Sequence, residues 1–212
     1  MPGLDPRLLA AWSASAGLHH PGAPASPADL TTVEAALGRH LPDALRELYL
    51  HHDGGSWVGG DLQLLPLLGD ELGVARASAA HRDWGWPVPE EVVLFGSDGG
   101  GDPFGVWLPD GPGRPLVVHV GSIGEPGCLG VVGEDVNAFL RGRTAFYLQL
   151  PDQDTTAALD ALGVPAELRS ADPDDDTARQ LHEWANPTVD WSLADPYEAR
   201  LTADDVRRIS GS

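Results

Sequence analysis

Apolar residues along the chain keep helical spacing at first and switch to strand spacing after about residue 60. Asp5 stands where an N-cap belongs and Pro6 at the first helical position, so a helix is predicted to run to about Ala16 and stop at Gly17. Leu8, Leu9 and Trp12 form its inner stripe. Ser26, Pro27 and Asp29 open a second helix, with Asp29 three residues after the cap, where a carboxylate suits the helix dipole. Leu30, Val33, Ala36 and Leu37 follow at helical spacing, and Gly38 closes the stripe. Leu41-Pro42 then begins a third helix carrying Leu45, Leu48 and Tyr49 on the face of Leu41, and it stops at Asp53-Gly54-Gly55.

Beyond Gly55 the elements shorten. Leu62 to Leu67 reads as a strand ended by Pro66, Glu71 to Trp84 as a helix, and Val92 to Phe95 as a short apolar strand. Ser97 to Pro103 is a turn by composition. Phe104 to Leu108 alternates, which places Phe104, Val106 and Leu108 on one face and Trp107 on the other. Leu116 to Val120 and Leu129 to Val132 are further strands, and Glu134 or Asp135 starts a helix with Val136, Phe139 and Leu140. Helices first, then strands joined by tight turns, then a helix: the order predicts an α+β domain with a mainly antiparallel sheet. It occupies residues 1–150.

Residues 151–212 differ in charge, with 14 acidic residues against 5 arginines, about twice the net charge density of the rest. Short helices are predicted at Thr155 to Leu162, Thr177 to Ala185 and Ala203 to Ile209, the last opened by a capping box from Thr202 to Asp205. Leu181, Trp184 and Trp191 imply that this acidic extension packs on the main domain.

Charge narrows the function. The net charge is −19, and all 13 basic residues are arginine. Nucleic acid and anionic membranes want a basic footprint, so neither is an expected partner; a basic protein is. No apolar run reaches the length of a membrane span, and the N-terminus lacks the pattern of a secretory signal. The single cysteine, Cys128, forms no internal disulfide and fits a reducing compartment. The expected location is cytoplasmic.

Catalytic and metal chemistry find little support. His51 and His52 are adjacent, so on a helix they point about 100° apart and do not converge on one ion. Asp98-Gly99-Gly100-Gly101-Asp102 lacks the lysine and following helix of a phosphate loop and the regular oxygen ligands of a calcium loop. No catalytic residue, metal or cofactor is expected.

The segments from the Ser26 helix to Phe139-Leu140 occur in the order of one known family. They are the helix with Glu34, Leu37 and Gly38; Leu41-Pro42 and its helix ending at Asp53-Gly54, where the family has Asn-Gly; Leu64-Leu65-Pro66-Leu67; Leu94 to Asp102; Phe104 to Leu108; and Pro115 to Val120. Over residues 26–142 the chain resembles the SUKH superfamily, which includes fungal cell-wall-synthesis regulators and bacterial toxin-immunity proteins. Two departures stand out: Trp107-Leu108 replaces an acidic strand end, and the extension lies outside the pattern. The resemblance implies an α+β fold, no catalytic residues, and immunity through binding a cognate protein toxin, often a nuclease or another enzyme. The alternative is a SUKH-fold adaptor or regulatory scaffold without a toxin partner.

Contact residues come from loop position, acidity and aromatic content, not from the family. Seven tryptophans are many for this length, and Trp57, Trp84, Trp86 and Trp107 flank loops or point off the apolar face. Tryptophan beside acidic, glycine-rich loops suits an interaction hot spot. Asp53, Trp57, Asp98, Asp102, Trp107 and Glu125 are the expected contacts.

Overall fold

Local capping chemistry starts several helices of the computed structural model, which describes residues 3–57, 60, 62–69, 73–121, 128–149, 154–190 and 201–211. Asp5 caps α1 (Pro6–Ala14) by accepting from the Arg7 N–H. The helix ends two residues before the expected Ala16, and a 3-10 turn, Ala16–Leu18, follows. Ser26 and Asp29 form a full capping box on α2 (Pro27–Leu37), and Gly38 closes it in the left-handed conformation at φ 65°. Leu30 and Val33 face inward as expected, but Ala36 is exposed and Glu34 is buried in its place. The carboxylate of Glu34 is matched: it accepts from the Leu41 N–H at 2.9 Å and from Arg46 at 2.8 Å. Helix α3 (Asp43–His51) begins at Pro42 and buries Ala44, Leu45, Leu48 and Tyr49.

The strands are β1 (His20–Pro21), β2 (Gly55–Trp57), β3 (Leu62–Leu64), β4 (Val92–Asp98), β5 (Pro103–Trp107), β6 (Leu116–Val120) and β7 (Leu129–Gly133). They form a seven-stranded antiparallel sheet in chain order, each strand pairing with the next. Between β3 and β4 lies α4 (Val74–Asp83). It starts later than the pattern predicted because Gly73 takes the N-cap, a position that tolerates glycine well; Glu71 lies outside the described residues. The β3 pairing stops at Leu64, two residues before Pro66, which has no N–H to donate. Leu65 still donates its own N–H to Phe95 O at 2.9 Å.

Both faces of the sheet are covered. On one, Val93, Phe95, Phe104, Val106 and Val117 pack with residues of α1, α2, α3 and α5 (Val136–Tyr147). On the other, Val92, Leu94, Trp107, Val118, Val120 and Val131 pack with Ala77 of α4 and with Val189 and Val206 from beyond residue 150. Strands β5, β6 and β7 therefore read as buried at every position.

The C-terminal segment supplies cover to both faces. Helix α6 (Thr156–Leu162) packs on α1, and α7 (Asp175–Ala185) packs on α5, where Gly142 meets Ala185. Arg141 donates to Ala185 O at 3.1 Å, and its guanidinium lies 5.0 Å from the Trp184 ring. Helix α8 (Ala203–Ser210), opened by the Thr202–Asp205 capping box, lies on the second face. Leu201 bridges to Leu129 through two backbone hydrogen bonds of 2.9 and 3.0 Å. Trp191 lies outside the described residues. Among the described residues, no helix is long and apolar enough to cross a membrane.

Candidate functional site

The chain leaves α3 through Asp53-Gly54-Gly55, and this corner is built to hold the backbone. Asp53 Oδ1 accepts the Leu67 N–H at 2.6 Å, and the Asp53 N–H donates to Ala23 O at 3.1 Å. Burial raises the pKa of Asp53 above the ordinary aspartate value; the Leu67 N–H opposes that rise and the charge of Asp29 adds to it. Gly55 sits at φ 111°, and a Cβ there would stand 2.4 Å from His20 O, so only glycine lets β1 and β2 approach. His51 and His52 lie with ring centroids 6.3 Å apart at the end of the helix.

Trp57 and Trp107, both expected at a contact surface, are buried. Trp57 is 1% exposed, and its ring packs 5.8 Å from those of Trp12 and His52. Trp107 is fully enclosed on the second face of the sheet. Arg207 of α8 places its guanidinium 5.7 Å from the Trp107 ring and donates to Glu91 at 2.8 Å. A partner meets neither ring without unpacking the core, so both leave the contact set. The face to which Trp107 points is not solvent, because α4 and α8 cover it. Glu125 lies outside the described residues.

Asp98 and Asp102 flank the β4–β5 turn. Asp98 Oδ1 accepts the N–H groups of Gly100 at 2.9 Å and Asp102 at 2.8 Å, and the Asp98 N–H donates to Asp102 O at 3.0 Å. Gly101 turns the chain at φ 95°. Both aspartates are half-buried, while Gly99, Gly100 and Gly101 between them are exposed. The sheet register brings a third group to this tip, one the sequence pattern did not single out. His119 of β6 pairs with Phe104, so its ring stands beside the turn, 4.0 Å from Asp98.

Among the described residues, Trp84 is the tryptophan left open, at 52% exposure, immediately after α4. Its ring lies 5.0 Å from that of His81, tilted by 49°, and His81 is 6.1 Å from Trp86. Trp86 packs so closely over Gly121 that a Cβ there would stand 2.4 Å from the ring. Gly121 follows His119 by two residues, so this aromatic group and the acidic tip share one end of the sheet.

Two clefts lie elsewhere. One of about 460 Å³ is bounded by the start of α1 and by α5, and another of about 320 Å³ by Pro42, Val106 and the start of α5. Neither is lined by histidine, serine or cysteine.

No curated protein matches the chain. Residues 24–142, more than half of its length, match the SMI1 / KNR4 family (SUKH-1), and the match spans α2 through most of α5 with the whole of β2 to β7. The chain belongs to the SMI1 / KNR4 family (SUKH-1).

Proposed function

We propose that this protein is a non-catalytic binding module of the cytoplasm, and specifically an immunity protein that binds and neutralises a cognate protein toxin. Membership of the SUKH-1 family, which includes immunity proteins, is the observation that carries the reading. The surface with the best chemistry for it is the sheet end where Trp84 and Trp86 stand with Asp98 and Asp102. An exposed tryptophan supplies an apolar anchor, and the carboxylates favour a basic counterpart. Asp53 stands in this reading as a secondary, half-buried contact at the corner after α3. Neutralisation is by occlusion: the bound protein blocks the toxin's own site, and the charge of −19 speeds encounter with a basic toxin.

Co-expression tests the reading. Cells carrying the toxin domain encoded beside this gene are expected to survive when this protein is present, and the two chains are expected to co-purify. Continued killing with no complex formed by any neighbour-encoded product would sink the idea.

A second reading, an adaptor without a toxin partner, is favoured by the exposed aspartates at the start of α7. Asp172, Asp174, Asp175 and Asp176 lie outside the family match. Replacing Asp172, Asp175 and Asp176 with asparagine leaves the Asp174 cap in place. Intact toxin binding by that variant, with loss of another partner, would favour the adaptor.

A further inference from the structure

We propose that Asp98, Asp102 and His119 bind one divalent transition-metal cation at the tip of the β4–β5 hairpin. Each residue offers a ligand atom, and these atoms lie within 4.8 Å of one another. The turn prepares the first ligand: both backbone bonds go to Asp98 Oδ1, and Oδ2 faces the imidazole at 4.0 Å from Nε2. That separation is too long for a hydrogen bond. It suits two ligands of a shared ion, since bonds of about 2.0–2.2 Å to each span such gaps with small side-chain adjustments.

His119 supplies an independent sign. The residue is 9% exposed, and its Nε2 has no hydrogen-bond partner among the described residues. A buried imidazole nitrogen that faces a carboxylate without bonding to it can take a cation as its partner. The neighbours hold the ring in place: Phe104 lies 4.9 Å away, and Arg143 of α5 stands 5.1 Å from the Phe104 ring. Burial, then the charge of Arg143, lowers the pKa of His119 against the opposing pull of Asp102 and Asp98. Arg143 repels a cation, against the attraction of the two carboxylates.

The ligand set selects the ion. Two carboxylates with one imidazole suit Zn²⁺, Fe²⁺, Co²⁺ or Mn²⁺ better than Mg²⁺ or Ca²⁺, which want oxygen alone. Three protein ligands leave room for water. The ion would tie the hairpin tip to β6 and offset acidic charge there, whatever partner that end of the sheet meets.

The test uses the full chain, stripped with chelator and titrated calorimetrically with zinc chloride, then with magnesium and calcium chloride. One saturable zinc equivalent is expected, with a rise in unfolding temperature and no comparable response to magnesium or calcium. Asp102→Asn and His119→Gln are each expected to weaken zinc binding by at least about tenfold. With eight histidines in the chain, zinc uptake unchanged in both variants places the ion elsewhere and overturns the proposal. Absence of saturable binding below about 1 mM overturns it too. Should His119→Gln not fold, imidazole nitrogen resonances of the unsubstituted protein decide. The first zinc equivalent must shift His119 Nε2, and a shift confined to other histidines refutes the site.

Discussion

Glu34 shows how one residue joins two helices. Burial pushes its carboxyl pKa up, but the Leu41 N–H, His40 and Arg46 outweigh that and hold it below the ordinary glutamate value. The fold prefers the ionised form, so its contribution is fully present above the unfolded value of 4.5 and is lost as pH falls through the folded one. Glu34→Gln is expected to cost about 1–3 kcal/mol at pH 7, with the gap from the unsubstituted protein closing below about pH 4 in urea unfolding. Histidines act in a higher window. His182 is held down to about 3, first by burial and then by Arg143, and His19 to about 4, by burial and then His20 and His52. The unfolded chain binds these protons first, so stability falls as pH drops below about 6.5. By pH 5.5 His182 is expected to remove about 1.4 kcal/mol and the less deeply buried His19 a smaller amount, and His182→Gln should abolish its own share of the pH dependence. Neither residue was legible as a core group, because burial of a histidine depends on helices far along the chain.

At the scale of elements, helix starts were readable and strand faces only half so. The boxes at Ser26–Asp29 and Thr202–Asp205 and the glycine stop at Gly38 involve groups within a few residues, so their spacing predicts the element. The alternation of β5 correctly separated Phe104, Val106 and Leu108 from Trp107. What covers the Trp107 side was not readable, since α8 arrives from about 100 residues later. Arg207 reaches Glu91 across 116 positions. This makes the segment after residue 200 part of the core. Val206→Ala is expected to cost about 2 kcal/mol. Removing residues 201–212 should lower the unfolding temperature and raise binding of a hydrophobic dye as Trp107 and Leu129 lose their cover. A truncation that leaves both unchanged would contradict the packing on the second face. Deleting the whole extension is accordingly a poor test of binding, because it strips apolar cover from both faces of the sheet.

For the whole molecule, the proposed binding surface rests on the exposed Trp84, because Trp57 and Trp107 are buried. Trp84→Ala is expected to weaken the proposed toxin complex by about 2 kcal/mol or more while leaving thermal unfolding nearly unchanged. Trp57→Ala should instead cost about 3–5 kcal/mol of stability, read by the same unfolding measurement, through the cavity it opens beside Trp12. Unchanged affinity in Trp84→Ala would remove this end of the sheet from the interface. Association with a basic partner should slow as salt rises, because steering by net charge is screened.

By itself, the sequence determined the helix caps, the apolar stripes, the acidity and the order of segments that marks the family, all of them local or additive properties. The tertiary structure decided which rings are buried and which stay open. It also decided that both sheet faces are covered and that His119 stands beside Asp98. The physical reason is separation along the chain. Capping acts within one helical turn, whereas Trp12 bonds Thr144 across 132 residues and His119 meets Asp98 only because antiparallel register folds β6 against β5.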